Sequence, residues 1–255
     1  MGLGLAMSLS QMAYARHLEA NSVTVLDTTA GNFTSVTFLE PFDVLPIVVI
    51  TPTNEGDDSA TLRLRNVTTT GFEVTIVEPP GDDGPHEAMN THYIAIEPGV
   101  TTMPNGTVFA AGFHSTDSFQ QKGALGLTGQ SWDTVNFGTT LTATASVVAN
   151  IQTLNNEDNA IPSSVSEPFL STAIRNVNTT TMQMTLDRVE VNTGTLTTDE
   201  VIGWIAFPQN TNGDLIATAS QSISWDARTS PDNICLLYTS PSPRDQRGSR
   251  MPSSA

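Results

Sequence analysis

Along most of its length the chain alternates apolar and polar residues in short stretches. Phe72, Val74 and Ile76 alternate with Glu73 and Thr75, and Met182, Met184 and Leu186 alternate with Gln183 and Thr185. A period of two sends one set of side chains into a core and the other toward water, as on a half-buried strand. Residues 47–50 (Ile-Val-Val-Ile) are apolar throughout, which predicts a central strand covered on both faces. Turn formers separate these stretches. Thr68-Thr69-Thr70-Gly71 predicts a tight turn between antiparallel strands, and Asn105-Gly106 predicts a hairpin. No extended stretch has apolar spacing at i, i+3, i+4, so long helices are not expected.

The pattern occurs twice. Phe33-Thr34-Ser35-Val36-Thr37-Phe38 aligns with Trp132-Asp133-Thr134-Val135-Asn136-Phe137, and without a gap Phe42 meets Leu141 and Val48-Val49 meets Val147-Val148. Arg65-Asn66-Val67 then aligns with Arg175-Asn176-Val177, and Tyr93-Ile94-Ala95-Ile96 with Trp204-Ile205-Ala206-Phe207. The order is kept and the offset grows only at loops, most of all at residues 155–168 of the second copy. Short strands spaced by turn signals, in two copies, predict an all-β protein of two tandem antiparallel β-sandwich modules. The expected division is residues 16–113 for the first module, with its boundary at Phe113, residues 114–222 for the second, and residues 223–234 for the start of a following segment.

Composition supports this. Of 255 residues only 14% are charged, and 26 acidic residues against ten basic ones give a net charge of −16. So negative a surface repels nucleic acid and anionic membranes, and it fits a saline setting where salt screens self-repulsion. Residues 2–9 are apolar and lead to Ala13-Tyr14-Ala15, whose small first and third residues suit signal-peptidase cleavage; residues 1–15 are expected to be a shortened signal peptide of a secreted or surface protein. That apolar run is too short to span a bilayer as a helix. The lone cysteine, Cys235, leaves no disulfide framework, which fits a bacterial source.

Residues 235–255 stand apart. Cys235-Leu236-Leu237-Tyr238-Thr239-Ser240-Pro241-Ser242-Pro243-Arg244-Asp245 and the stretch that follows resemble a translated sequencing-library adapter. They are expected to be foreign to the fold, joined to a gene of metagenomic origin that ran on past Ile234. Without them seven basic and 25 acidic residues remain, a net charge of −18, with Lys122 the only lysine.

In the first copy, Phe38-Leu39-Glu40-Pro41-Phe42, Pro46-Ile47-Val48-Val49, Thr70-Gly71-Phe72 and Tyr93-Ile94-Ala95-Ile96 together resemble the H-type lectin pattern. In the second, Ala145 replaces the proline and Thr181-Met182 replaces Gly-Phe. The resemblance implies small antiparallel sandwiches, commonly assembled as trimers, that bind sugars at subunit edges. It also implies a sugar-binding role for Arg63, eight residues before the turn glycine. An aromatic-plus-histidine pair is expected to follow in that family, whereas this chain has Glu78-Pro79-Pro80, and Ala173 occupies the arginine position of the second copy.

The candidate sugar-binding residues are Arg63, Arg65, Tyr93 and Trp204. A guanidinium fork donates paired hydrogen bonds to hydroxyls or carboxylates. The simpler role for Arg63 and Arg65 is to pair with carboxylates on an exposed strand face, and the recurrence of Arg65 as Arg175 favours a structural role for it. Tyr93 and Trp204 offer rings for stacking on sugars, although packing within their apolar strands is the simpler role. His86-Glu87 and His92 have the wrong spacing for a zinc helix motif, and no nucleophile-elbow, phosphate-cradling or dinucleotide pattern is present, so no enzyme and no cofactor are expected. The acidic loops Glu55-Gly56-Asp57-Asp58, Gly81-Asp82-Asp83-Gly84 and Asn155-Asn156-Glu157-Asp158-Asn159 carry oxygen ligands suited to Ca²⁺, without EF-hand spacing; solvated turns are the simpler account of them.

The expected function is a secreted, non-catalytic carbohydrate-binding or adhesive lectin-like protein, with a glycan or cell-surface polysaccharide as partner and a homo-oligomer, a trimer in that family, as its assembly. The alternatives are a structural spacer repeat of a surface adhesin, and an accessory region of a polysaccharide-degrading enzyme. If residues 235–255 are foreign, deleting them leaves the melting temperature unchanged in a thermal scan; a drop of several degrees would show that they pack.

Overall fold

A computed structural model describes residues 17–26, 32–53, 60–79, 86–103, 105–120, 131–157, 166–188, 192 and 194–211. The expected signal peptide, the loops at 55–58 and 81–84 and everything from 212 onward lie outside them. The chain is all-β, and no helix occurs among the described residues.

Among the described residues the first unit has six strands: β1 (Leu18–Val25), β2 (Thr34–Thr37), β3 (Ile47–Thr51), β4 (Thr61–Arg65), β5 (Gly71–Val77) and β6 (Met89–Ile96). They form two antiparallel sheets, ordered β1-β6-β3 and β2-β5-β4. The second unit adds β7 (Gly99–Thr102), β8 (Val108–Thr116), β9 (Phe119–Gln120), β10 (Asp133–Asn136), β11 (Ala145–Ile151), β12 (Leu170–Arg175), β13 (Thr181–Arg188) and β14 (Glu200–Pro208). Its sheets are β11-β14-β8-β7 and β10-β13-β12, with β9 parallel to β13. The repeat is therefore structural: β1 corresponds to β8, β3 to β11, β4 to β12, β5 to β13 and β6 to β14. Phe113, the expected boundary, lies inside β8. That strand pairs with β14 and β7, so the chain passes between units near Glu97–Gly99 instead. The Gly- and Thr-rich composition of residues 98–130 reads as a linker, but it includes a hairpin and an inner strand.

Each unit has its own core between its two sheets. Val48, Ile50, Tyr93 and Ala95 meet Leu62, Leu64, Phe72, Val74 and Ile76 in the first; Trp204, Ala206 and Ile202 meet Met182, Met184 and Leu186 in the second. The expected alternation holds for the inward residues. Thr75 departs from it, being buried rather than facing water, because its hydroxyl donates to the Asn32 carbonyl at 3.0 Å. Thr185 repeats the arrangement, donating to the Ser118 carbonyl at 2.9 Å. A hydroxyl with a partner is cheap to bury, so a threonine reads as polar in sequence yet sits in either layer.

The turns also repeat. Asn66 and Asn176 both take the left-handed conformation with φ of 49°, where asparagine is better tolerated than most side chains. Thr68 N–H then donates to the Gly71 carbonyl at 2.8 Å, and Asn178 N–H to that of Thr181 at 2.9 Å. Gly71 is needed for proximity, since a Cβ there would lie 2.1 Å from the Val36 carbonyl oxygen.

β3 is an edge strand, not the central strand its apolar run predicts, yet both its faces are covered. Val48 and Ile50 face the first core, while Ile47 enters a third cluster with Ile96, Met103, Phe109, Ala111 and Ile205, which joins the units. Gly203 makes room for it: a Cβ there would stand 2.8 Å from Ile47 Cγ2. The edge is also capped. Gln152 receives the Val48 N–H on its Oε1 at 2.8 Å and returns Nε2 to the Val48 carbonyl at 2.7 Å, and Asn150 Oδ1 accepts the Ile50 N–H at 3.1 Å. Side-chain amides of the second unit thus take the place of a missing neighbour strand.

If this cluster holds the units together, Ile47→Ala costs about 2–5 kcal/mol in denaturant unfolding and separates one transition into two. A loss below about 1 kcal/mol would show that the contact is incidental.

Candidate functional site at the junction of the units

The residues nominated from sequence are drawn largely into the fold. Arg63, on β4, is expected on an exposed strand face, but the structure buries it. Its Nε and Nη2 grip both carboxylate oxygens of Glu157 in the second unit, the latter at 3.1 Å, with side-chain exposures of 6% and 4%. Glu157 also accepts the Leu170 N–H, and the Phe169 ring lies 4.8 Å from the guanidinium carbon. A fork satisfied on both prongs by a buried carboxylate is committed to joining two units.

Arg65 stays part-exposed. It donates from Nε to Glu73 at 2.6 Å and lies 3.5 Å over the Phe33 ring, while Asn66 Nδ2 shares the same carboxylate at 3.0 Å. The Arg65 hydrogen bond, against a smaller cost of burial, holds the Glu73 carboxyl below its ordinary value. In the second unit Arg175 donates to Gln183 at 3.0 Å and lies 3.9 Å over Trp132, and Asn176 donates to Gln183 at 2.8 Å. The repeated motif is an arginine clamped between a ring and an acceptor beside the turn asparagine.

Tyr93 and Trp204 are core residues. Tyr93 packs edge-on against Phe72 at 5.1 Å and donates its hydroxyl to Glu19 on β1; burial first, then Glu19, raises its pKa. Trp204 lies 5.6 Å from Phe137. The flanking strand is adjusted to each ring. Opposite Tyr93 stands Asn21, and Glu19 receives the phenol; opposite Trp204 stands Gly112, and Ala110 takes the carboxylate's position. A Cβ on Gly112 would lie 2.6 Å from the indole.

A groove of about 520 Å³ opens at the junction. It is lined by Val49–Thr51 of β3, Val147–Asn150 of β11 and Thr172–Ile174 of β12, with Gln120, Trp132 and Asp187. At the corresponding edge of the first unit, β3 and β4, Val48, Ile50, Leu62 and Leu64 are buried in that unit's own core, and Arg63 is buried against Glu157 of the second unit. The groove runs between β3 of the first unit and β11 and β12 of the second. Trp132, Gln120, Asn150 and Gln152 were not singled out from sequence. Their one signal is that amides occupy positions 150 and 152 where the first copy has Thr51 and Thr53.

The 155–168 insertion begins as an anchored segment. The buried Glu200 carboxylate accepts from the Thr153 hydroxyl, from the Asn155 and Asn156 N–H groups at 2.9 Å each, and from Asn156 Nδ2 at 2.8 Å. This places Glu157 against Arg63. His86 is buried with Nδ1 2.8 Å from the Glu87 carbonyl, and His92 is exposed on β6. Among the described residues no three His, Cys, Asp or Glu side chains converge on a metal position, and no helix is long and apolar enough to cross a membrane.

No protein-family model matches the chain, and no solved structure matches it. Halomucin of Haloquadratum walsbyi is 32% identical over 112 residues, which cover 39% of this chain and 1% of that protein. The chain thus spans about 1% of the length of the curated relative that it matches.

Asp133 ties the sheets of the second unit together, accepting from Ser118 at 2.6 Å, Thr116 at 2.5 Å and His114 at 2.9 Å. Burial pushes its carboxyl up, but these hydrogen bonds prevail and hold it below the ordinary 3.8. A depressed folded pKa gives stability that is complete above the unfolded value and lost as pH falls through the folded one. Wild type is therefore more stable than Asp133→Asn near neutrality, and the gap narrows below about pH 4 in acid titrations followed by circular dichroism. A gap independent of pH would refute the assignment.

Proposed function

We propose that the chain is a non-catalytic adhesive unit of an acidic surface or secreted protein, built so that successive modules dock on one another. The observation that carries this reading is the fate of Arg63. The one basic group that the lectin resemblance places in a sugar site is used with Glu157 to fasten one module to the next. The amide cap on β3 and the shared apolar cluster act in the same direction. Localisation outside the cell is supported by the strong acidity and by the partial similarity to halomucin.

A second reading, glycan binding of the H-type lectin kind, is favoured by the junction groove, where Trp132 stands near Gln120 and Asp187. A ring beside amide and carboxylate groups suits a sugar's apolar face and hydroxyls.

Microspheres coated with the chain test both. At molar salt, coated spheres are expected to clump with each other, or with polysaccharide-coated spheres, while bare spheres stay dispersed. Dispersion in every combination would sink the adhesive reading. Binding on a glycan array that Trp132→Ala abolishes, with the fold intact by circular dichroism, would put the glycan reading first.

A further inference from the structure

We propose that the groove between the units takes an uncharged glycan, and that the two docked units together form its walls. This inference rests on the glycan reading and names the class of sugar.

The groove exists only while the units are docked. Val49, Ile50 and Thr51 line it from the first unit, and the other lining residues belong to the second. Its volume of about 520 Å³ falls within the range of small-molecule sites, about 300–1,000 Å³, and suits a short oligosaccharide.

The walls combine the two kinds of surface that a sugar presents in return. Val147, Val148, Ala173 and Ile174 are apolar, and Val148 is 49% exposed. Trp132 adds a ring. Arg175 lies 3.9 Å over that ring and holds it, so the indole meets the groove with its other face or its edge. The indole nitrogen is enclosed and has no partner in the chain, so Trp132 offers carbon surface and not a donor. Gln120 and Asp187 stand side by side in the register of β9 with β13, and the bond from Phe119 N–H to Ser131 Oγ, at 2.9 Å, brings Trp132 next to them. An amide, a carboxylate and the hydroxyls of Thr51 and Thr172 beside apolar surface match the hydroxyls and the C–H face of a sugar.

Charge selects among sugars. Among the described residues Asp187 is the one ionised side chain on the groove, and neither arginine nor lysine lines it. Arg175 lies over the indole and donates to Gln183 at 3.0 Å, and Arg63 is committed to Glu157. A uronate or sulfate brought into the groove would give up water beside a carboxylate, with no cation on the walls to replace it. A neutral sugar has hydroxyls that donate to that carboxylate, in bonds strengthened by its charge. The net charge of −16 acts in the same direction at longer range.

A glycan array with neutral and acidic members, read at about 1 M NaCl, tests the proposal. The reach of charge repulsion there is about 3 Å, so a preference reports the groove and not the net charge. Neutral glycans are expected to bind, and their charged counterparts to fail, as with dextran against dextran sulfate. Titration calorimetry with the strongest neutral binder then locates the site. Asp187→Asn should weaken binding about tenfold or more, through loss of a charged acceptor. Ala173→Phe from the second unit and Thr51→Phe from the first should each fill the groove and abolish binding, with the melting temperature kept. Loss with Ala173→Phe but not with Thr51→Phe would put the sugar on the second unit alone and overturn the shared site. Binding of acidic glycans as well as or better than neutral ones would leave the glycan reading standing and remove this proposal. Binding to no member of the array removes both, and leaves the adhesive reading untouched.

Discussion

An apolar edge strand has to be covered, and the structure is organised around covering β3. Four consecutive apolar residues give it two faces that avoid water, and its position at the end of a sheet leaves backbone groups unpaired. The second unit answers both needs. Its sheet face takes Ile47, and the amides of Asn150 and Gln152 bond the free edge. Exposed edges invite uncontrolled pairing, and covering them is one of the ways proteins avoid it. Here the cover is a sister module, so the two units are held in one arrangement by the same contact that protects the strand.

The Arg63–Glu157 pair extends that arrangement to the second sheet of the first unit. Buried ion pairs add little net stability over apolar packing, but losing one partner strands a charge and is costly. The pair therefore acts more on register than on affinity, fixing where β12 and the insertion lie relative to β4. Glu200 performs the supporting task, holding the backbone of Asn155 and Asn156 so that Glu157 arrives at the guanidinium.

Much of the fold is legible in sequence because its signals are local. The alternation around Val74 and Met184, the turn at Thr68–Gly71, the Asn105-Gly106 hairpin and the twofold repetition all follow from side-chain period and turn chemistry. The edge position of β3 is not legible, since an apolar run reports covered faces and says nothing of neighbours. The module boundary is misread at Phe113 because turn-rich composition marks the β7–β8 hairpin as strongly as it would a linker. For the site, the resemblance assigns Arg63 to a sugar, whereas the structure gives its guanidinium to a carboxylate. Arg63 meets a carboxylate 94 positions away on an inserted segment, which no pattern local to β4 encodes. Tyr93 and Trp204 are legible as packing residues from their apolar strands.

The matching of Tyr93 with Glu19 and Asn21, and of Trp204 with Ala110 and Gly112, bears on how tandem copies avoid exchanging strands while they fold. Neighbouring repeats of similar sequence are prone to misassembly, because a strand of one can enter the sheet of the other. Here an exchange is penalised in either direction. With β1 placed beside β14, the Asn21 side chain would enter the space where even a single Cβ at Gly112 reaches the indole, and Glu19 would be buried without a phenol. With β8 placed beside β6, the Tyr93 hydroxyl would lose its acceptor. Two substitutions on one strand and one on its neighbour thus serve as an identity check, by which each half of the chain rejects its twin.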